Sequence, residues 1–146
     1  DQRQALLAAD TPHCWRLDAA AASQRLGPLT FRDQRHGEIP VNPALLGDVI
    51  LARKDIATSY HLAVVVDDAF QHISLVTRGD DLLPATHVHR LLQTLLALPE
   101  PTYHHYPLIL DATGQRLAKR DESETIRSLR ASGSTPAKIL ARLPVA

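Results

Sequence analysis

The sequence predicts an α/β fold. Strand-like apolar runs alternate with helical patterns through its second half, and the longest, Leu62-Ala63-Val64-Val65-Val66, is continuous enough to be buried on both faces of a parallel sheet. That run and the next end in charged clusters, Asp67-Asp68 and Arg78-Gly79-Asp80-Asp81. Ligands gather beyond the carboxyl ends of strands in open α/β sheets, so these clusters are expected neighbours of a site. A length of 146 residues suits one domain with a real core.

Taken in order, Leu6 and Leu7 among alanines predict an amphipathic opening helix, which Thr11-Pro12 breaks. Cys14 to Leu17 alternates like a short strand. Asp18 is placed to cap a helix reaching Leu26, with Gly27-Pro28 as its stop. Leu29 to Arg32 reads as a strand, and residues 34–47, punctuated by Gly37, Pro40 and Pro43, as loop with at most isolated strand pairing. Strands are expected at Asp48 to Arg53, Leu62 to Val66, Ile73 to Thr77 and Tyr106 to Leu110. Between the last two, Val88, Leu91, Leu92, Leu95 and Leu96 fall at helical spacing between Pro84 and Pro99. A turn at Asp111 to Gly114 leads into the basic loop Gln115-Arg116-Leu117-Ala118-Lys119-Arg120-Asp121. Asp121 and Glu124 have capping-box spacing for a helix to Ser132, stopped by Gly133, and Thr135-Pro136 starts another through Leu143.

Sixteen basic and sixteen acidic residues balance, so no global field advertises a nucleic-acid or membrane partner. The positive charge collects locally: from Arg116 onward seven Lys or Arg face three acids. One cysteine, Cys14, excludes an intrachain disulfide and fits a reducing compartment, the cytoplasm; a buried structural role is expected for it. No apolar run approaches the roughly 18 residues of a membrane span. Eight histidines invite a metal reading, but His87 and His89 lie on different faces of a helix and His104 and His105 on opposite faces of a strand, so no metal is assigned. No Gly-x-Gly-x-x-Gly follows a strand, which disfavours a dinucleotide oxidoreductase.

Three residues could converge on chemistry. Tyr60 offers a phenol that can donate to a carboxylate; its bland alternative is a tyrosine anchoring a strand end. Arg78 can grip a carboxylate through two parallel hydrogen bonds, or pair structurally with Asp80, Asp81 or Asp67. Lys119, in a loop before a helix, can meet nucleotide phosphates and stabilise charge on a leaving pyrophosphate, although a solvated basic turn is the commoner use of such a string.

The segments around them, Tyr-His-Leu-Ala-Val-Val-Val-Asp-Asp (60–68), Val-Thr-Arg-Gly-Asp-Asp-Leu (76–82) and Leu-Ile-Leu-Asp-Ala-Thr-Gly-Gln-Arg-Leu-Ala-Lys-Arg-Asp (108–121), resemble in order and spacing the glutamyl and glutaminyl branch of the class I aminoacyl-tRNA synthetases. The resemblance implies the C-terminal half of a Rossmann-like catalytic domain, a parallel sheet with flanking helices. By it, residues 1–47 belong to a loop-rich insertion, 48–121 to the second half of the catalytic domain, and 122–146 to a helical tail. It also implies that Tyr60 and Arg78 bind glutamate, and that Lys119 acts on ATP, with Arg116, Leu117, Ala118 and Arg120 of its loop. Arg116 stands where the family has a first lysine and Ala118 where it has a serine. ATP and Mg²⁺ are the implied cofactors, with zinc only through residues upstream.

The short tail is similar to that of a truncated branch of the family, which activates glutamate and attaches it to the queuosine base at the wobble position of tRNA(Asp). A monomer acting on glutamate, ATP and that tRNA, with no membrane partner, is the expected reading. The lack of methionine and the opening inside a helix lead us to expect a start further upstream, where the family's His-Ile-Gly-His-like signature belongs; the fragment alone is then expected to be inactive. Two alternatives share the same residues: a shortened synthetase for tRNA(Glu), and a noncatalytic nucleotide- or RNA-binding module of synthetase descent.

Overall fold

The computed structural model describes residues 2–9, 11–110, 114 and 125–143. Its centre is a four-stranded sheet in the order β3-β2-β6-β5, built from β2 (Thr30–Asp33), β3 (Gly37–Pro40), β5 (Leu75–Gly79) and β6 (Thr102–Tyr106). The pairs β2–β6 and β6–β5 are parallel; β3 joins antiparallel at the edge as the return strand of a hairpin. The fold is thus α/β with a mostly parallel sheet and flanking helices. A separate two-stranded ribbon pairs β1 (Trp15–Arg16) with β4 (Ile50–Ala52).

The hairpin follows from its turn chemistry. Asp33 closes the β2–β3 turn by accepting from the backbone N–H groups of Arg35 and His36, both at 2.9 Å, and Gly37 supplies the left-handed φ of +76°. Burial alternates along β2, with Phe31 and Asp33 inward and Thr30 and Arg32 outward.

Helix α2 (Ala19–Leu26) starts where Asp18 accepts from the Ala21 N–H at 2.8 Å, and stops at Gly27, φ +74°. Helix α4 (Leu83–Leu95) has Pro84 in its first turn. It packs against α2, α3 (Tyr60–Phe70) and β2, and so buries eight residues, from Ala85 to Gln93. Leu17, Ala22, Val49, Val65, Val88, Leu91 and Leu92 form the core that these helices share. Helix α1 (Gln2–Ala8) lies outside it. The tail holds α5 (Ile126–Ala131) and α6 (Pro136–Leu140), each opened by a threonine cap, Thr125 and Thr135. Gly133, φ +84°, follows α5 as expected.

Several expectations are corrected. Leu62 to Val66 is helix, not strand: only Val65 of the run is fully buried and Val66 is exposed, the single stripe that a helix gives against α4. Packing of that stripe overrides the weak helix propensity of three consecutive valines. The strand expected at Asp48 to Arg53 exists as β4 but pairs with β1, outside the parallel sheet. The strand expected at Tyr106 to Leu110 ends instead at Tyr106, being formed by Thr-Tyr-His-His-Tyr. A regular strand, β3, crosses the stretch read as loop. Cys14 is exposed rather than buried. The capping pair Asp121 and Glu124 lies outside the described residues, and the capping box at α5 is made by Thr125 and Ser128. Among the described residues no helix is long and apolar enough to cross a membrane.

Candidate functional site

The sheet register builds the site. Arg78 on β5 pairs with His105 on β6, and Asp33 ends β2 on the other side of β6, paired with Tyr103. Three neighbouring strands therefore bring a carboxylate, an imidazole and a guanidinium into line near their carboxyl ends. Helix α4 contributes Thr86 and His89, and α3 brings Tyr60 and His61 beside them.

Arg78 is 7% exposed, and its hydrogen-bond partners among the described residues are neutral acceptors. Its Nε donates to His105 Nε2 at 3.2 Å, one terminal nitrogen donates to His89 Nδ1 at 3.2 Å, and the other donates to Thr86 Oγ1. The guanidinium also lies over the Tyr103 ring, 5.2 Å from its centroid. A guanidinium carries five N–H groups, so one on each terminal nitrogen is left beyond these contacts. Asp80, an expected alternative partner, is engaged instead by Arg35 at 3.0 Å and His36 at 3.1 Å.

Because Arg78 can only donate, its partners must accept, and this fixes two tautomers. His105 presents a bare Nε2 and keeps its proton on Nδ1, which donates to Asp33 Oδ2 at 2.6 Å. His89 presents a bare Nδ1 and donates from Nε2 to His61 Nδ1 at 3.1 Å. Thr86 Oγ1 lies 3.0 Å from His105 Nε2 and closes the ring of contacts. Tyr60, about half exposed, sets its ring edge-on to His61 and His89, with centroids 5.5 and 5.7 Å away. Tyr60 and Arg78 thus both contact His89.

The electrostatics follow from burial. His89 is pushed down to about 3, first by burial and then by the charge of Arg78 and the neighbouring histidines. Burial and Arg78 also lower His61; His105 goes down as well, burial outweighing the upward pull of Asp33. For Asp33, burial opposes ionisation, yet hydrogen bonds from the His105 ring and the backbone N–H groups of His36, Arg35 and His105 hold its carboxyl down at about 2. Asp68 is shifted up by burial, against the pull of Arg78. The site is a cation set among neutral imidazoles, its nearest hydrogen-bonded carboxylate one residue removed.

Lys119 and its loop neighbours Arg116, Leu117, Ala118 and Arg120 lie outside the described residues, so the phosphate-binding assignment has no geometry to set beside it. The sequence reading picked out Tyr60 and Arg78 and missed Asp33, His61, Thr86, His89 and His105. Its histidine argument asked only about metals. Among the described residues, no group of three or more His, Cys, Asp or Glu is arranged to hold a metal ion.

The mostly parallel sheet with flanking helices is shared with known proteins. Residues 1–144 match the family described as tRNA synthetases class I (E and Q), catalytic domain. The chain belongs to that family. It is 55% identical over 94 residues to a protein from Rhodobacter capsulatus named glutamyl-Q tRNA(Asp) synthetase, covering 64% of this chain and 34% of that one. A protein of the same name from Nocardia farcinica is 50% identical over 113 residues, 76% of this chain and 35% of its own length. Among solved structures, the glutamate-tRNA synthetase of Elizabethkingia anophelis superposes with a TM-score of 0.66 at 31% identity, over 82% of this chain and 24% of that one. The chain spans about a third of the length of these named relatives.

Proposed function

We propose that the protein carrying this segment activates glutamate with ATP and transfers the glutamyl group to the queuosine base of tRNA(Asp). In this reading Arg78 takes a carboxylate of the amino acid, Tyr60, which also contacts His89, donates to it, and Lys119 stabilises the phosphate charge with Arg116, Leu117, Ala118 and Arg120 around it. Glutamate's α-carboxylate attacks the α-phosphorus of ATP, releasing pyrophosphate and leaving glutamyl-adenylate; a hydroxyl of the modified nucleoside then attacks the activated acyl carbon, giving up its proton and expelling AMP as the acyl–phosphate bond breaks. The chain's own contribution is positioning and charge. Magnesium, where the family uses it, would share the phosphate charge; among the described residues no group of three or more His, Cys, Asp or Glu is arranged to hold it.

The observation that carries the reading is the arginine. A buried guanidinium hydrogen-bonded to neutral acceptors, with N–H groups left over, matches the needs of an anionic ligand. The names of the relatives from R. capsulatus and N. farcinica support the acceptor. A second reading, charging of tRNA(Glu), is favoured by the likeness to glutamate-tRNA synthetase structures, one of them solved in complex with its amino acid. The two separate in a charging assay on the full-length protein. Glutamate entering tRNA(Asp) only when queuosine is present supports the first; charging of unmodified tRNA(Glu) sinks it.

A further inference from the structure

We propose that Asp33, His105 and Thr86 are positioning residues for Arg78, forming an acceptor cradle that aims its guanidinium at the substrate carboxylate without neutralising it. The proposal rests on the reading of Arg78 as the glutamate-binding cation.

The geometry shows how the cradle is fixed. Asp33 is 1% exposed and spends both oxygens: Oδ1 accepts from the N–H groups of Arg35 and His36, and Oδ2 from the His105 N–H at 3.0 Å and the His105 ring at 2.6 Å. A carboxylate so tied cannot turn away, so the proton of His105 stays on Nδ1 and Nε2 stays an acceptor. His105 is fully buried, and its ring stacks on Tyr103 with centroids 5.9 Å apart and planes 17° from parallel. Arg35 adds a contact at 2.6 Å to the His105 carbonyl, pinning the same residue from its backbone. Thr86 takes one terminal nitrogen of the guanidinium and belongs to the buried face of α4.

Placing the carboxylate one residue away matters chemically. A carboxylate bonded directly to Arg78 would occupy the bidentate fork and compete with the ligand for it. An imidazole and a hydroxyl fix the fork's direction with no formal charge, and Asp33 holds the imidazole in place from behind. Removing the acceptor at His105 frees Arg78 to reorient and leaves one of its N–H groups buried without a partner.

The test is glutamate-dependent ATP–pyrophosphate exchange by the full-length protein, measured as KM for glutamate and KM for ATP. Arg78→Ala first checks the underlying reading. His105→Leu is expected to raise KM for glutamate at least about tenfold while KM for ATP stays within about twofold, because only the amino-acid clamp is disturbed. His105→Gln, whose amide oxygen can accept where Nε2 did, is expected to return KM for glutamate to within about threefold of the parent. Should His105→Leu fail to fold, Thr86→Val removes a second of the three acceptors with little change in shape and is expected to raise KM for glutamate about threefold. If Arg78→Ala raises that KM but the leucine variant, or the valine variant in its place, leaves it unchanged, the cradle is overturned and the arginine's role stands. If His105→Gln is as impaired as His105→Leu, an acceptor is not what His105 supplies, and the cradle is again overturned. If Arg78→Ala itself leaves KM for glutamate unchanged, the reading beneath the proposal fails first.

Discussion

His89 should make the fold acid-sensitive well above the carboxylate range, and His89→Gln should remove a defined part of that sensitivity. The ring is 2% exposed, accepts from Arg78 and donates to His61, and its pKa lies at about 3 instead of the ordinary 6.5. A folded-state pKa below the unfolded value means that the unfolded chain binds more protons between the two. Stability is therefore fully present above pH 6.5 and is lost progressively as the pH falls toward 3. At pH 5 the unfolded imidazole is about 1.5 pH units below its own pKa while the folded one is still neutral, which costs about 2 kcal/mol relative to pH 7. For a chain of this size that is a drop of roughly 4–8 °C in Tm. The assay is thermal unfolding by circular dichroism at pH 7 and pH 5, for the parent and for His89→Gln. Glutamine can keep an acceptor for Arg78 and a donor for His61 but does not titrate, so the parent should lose about 2 kcal/mol more than the variant over this interval. Comparing the two drops cancels the groups common to both, Asp68 included. Equal drops in parent and variant would refute the reasoning, because His89 would then titrate alike in both states.

Other outcomes follow from the same packing. Phe31→Ala should destabilise by about 3–5 kcal/mol in urea unfolding, since the ring is 1% exposed and sits edge-on to both His87 and Tyr103. Gly79→Ala should cost no more than about 1 kcal/mol by the same measurement: an added Cβ would meet Asp81 Oδ1 at 2.6 Å and Leu108 Cδ2 at 2.8 Å, both tips of side chains that can turn aside. Lys119→Ala in the full-length protein should lower glutamate-dependent pyrophosphate exchange at least about tenfold, roughly 1.4 kcal/mol of transition-state stabilisation. Unchanged exchange would remove Lys119 from the mechanism.

What the sequence made legible, and what it hid, divides along a physical line. The place of Arg78 at a strand end was readable from the apolar run before it, its ligand role being implied only by the family resemblance, and α4 was readable because its leucines repeat at helical spacing between two prolines. The valines of α3 misled, because a short apolar run carries no period that separates a buried strand from a helix with one buried stripe. The histidines were judged only by spacing along one element. His87 and His89 do fall on different faces of α4, yet both are buried, because α2, α3 and β2 surround the helix: His87 accepts from the Asn42 N–H at 3.0 Å, and His89 from Arg78. Spacing within an element says which side a residue faces, and only tertiary packing says whether that side is wet.

Asp33 is the instructive miss, because its signal was present. In Thr30-Phe31-Arg32-Asp33-Gln34-Arg35 it looks like one member of a solvated charge run. Strand periodicity, however, puts Asp33 on the same face as Phe31, and on β6 it puts His105 on the same face as Tyr103. A carboxylate in phase with a core aromatic is buried unless the strand ends first, and a buried carboxylate needs donors. Here they are an imidazole ring and three backbone N–H groups. The pairing of β2 with β6 could not be foreseen from either strand alone, since the two are about seventy residues apart and parallel. Once that pairing is given, the phase of each strand leads from the arginine to the imidazole, and from the imidazole to the carboxylate that orients it.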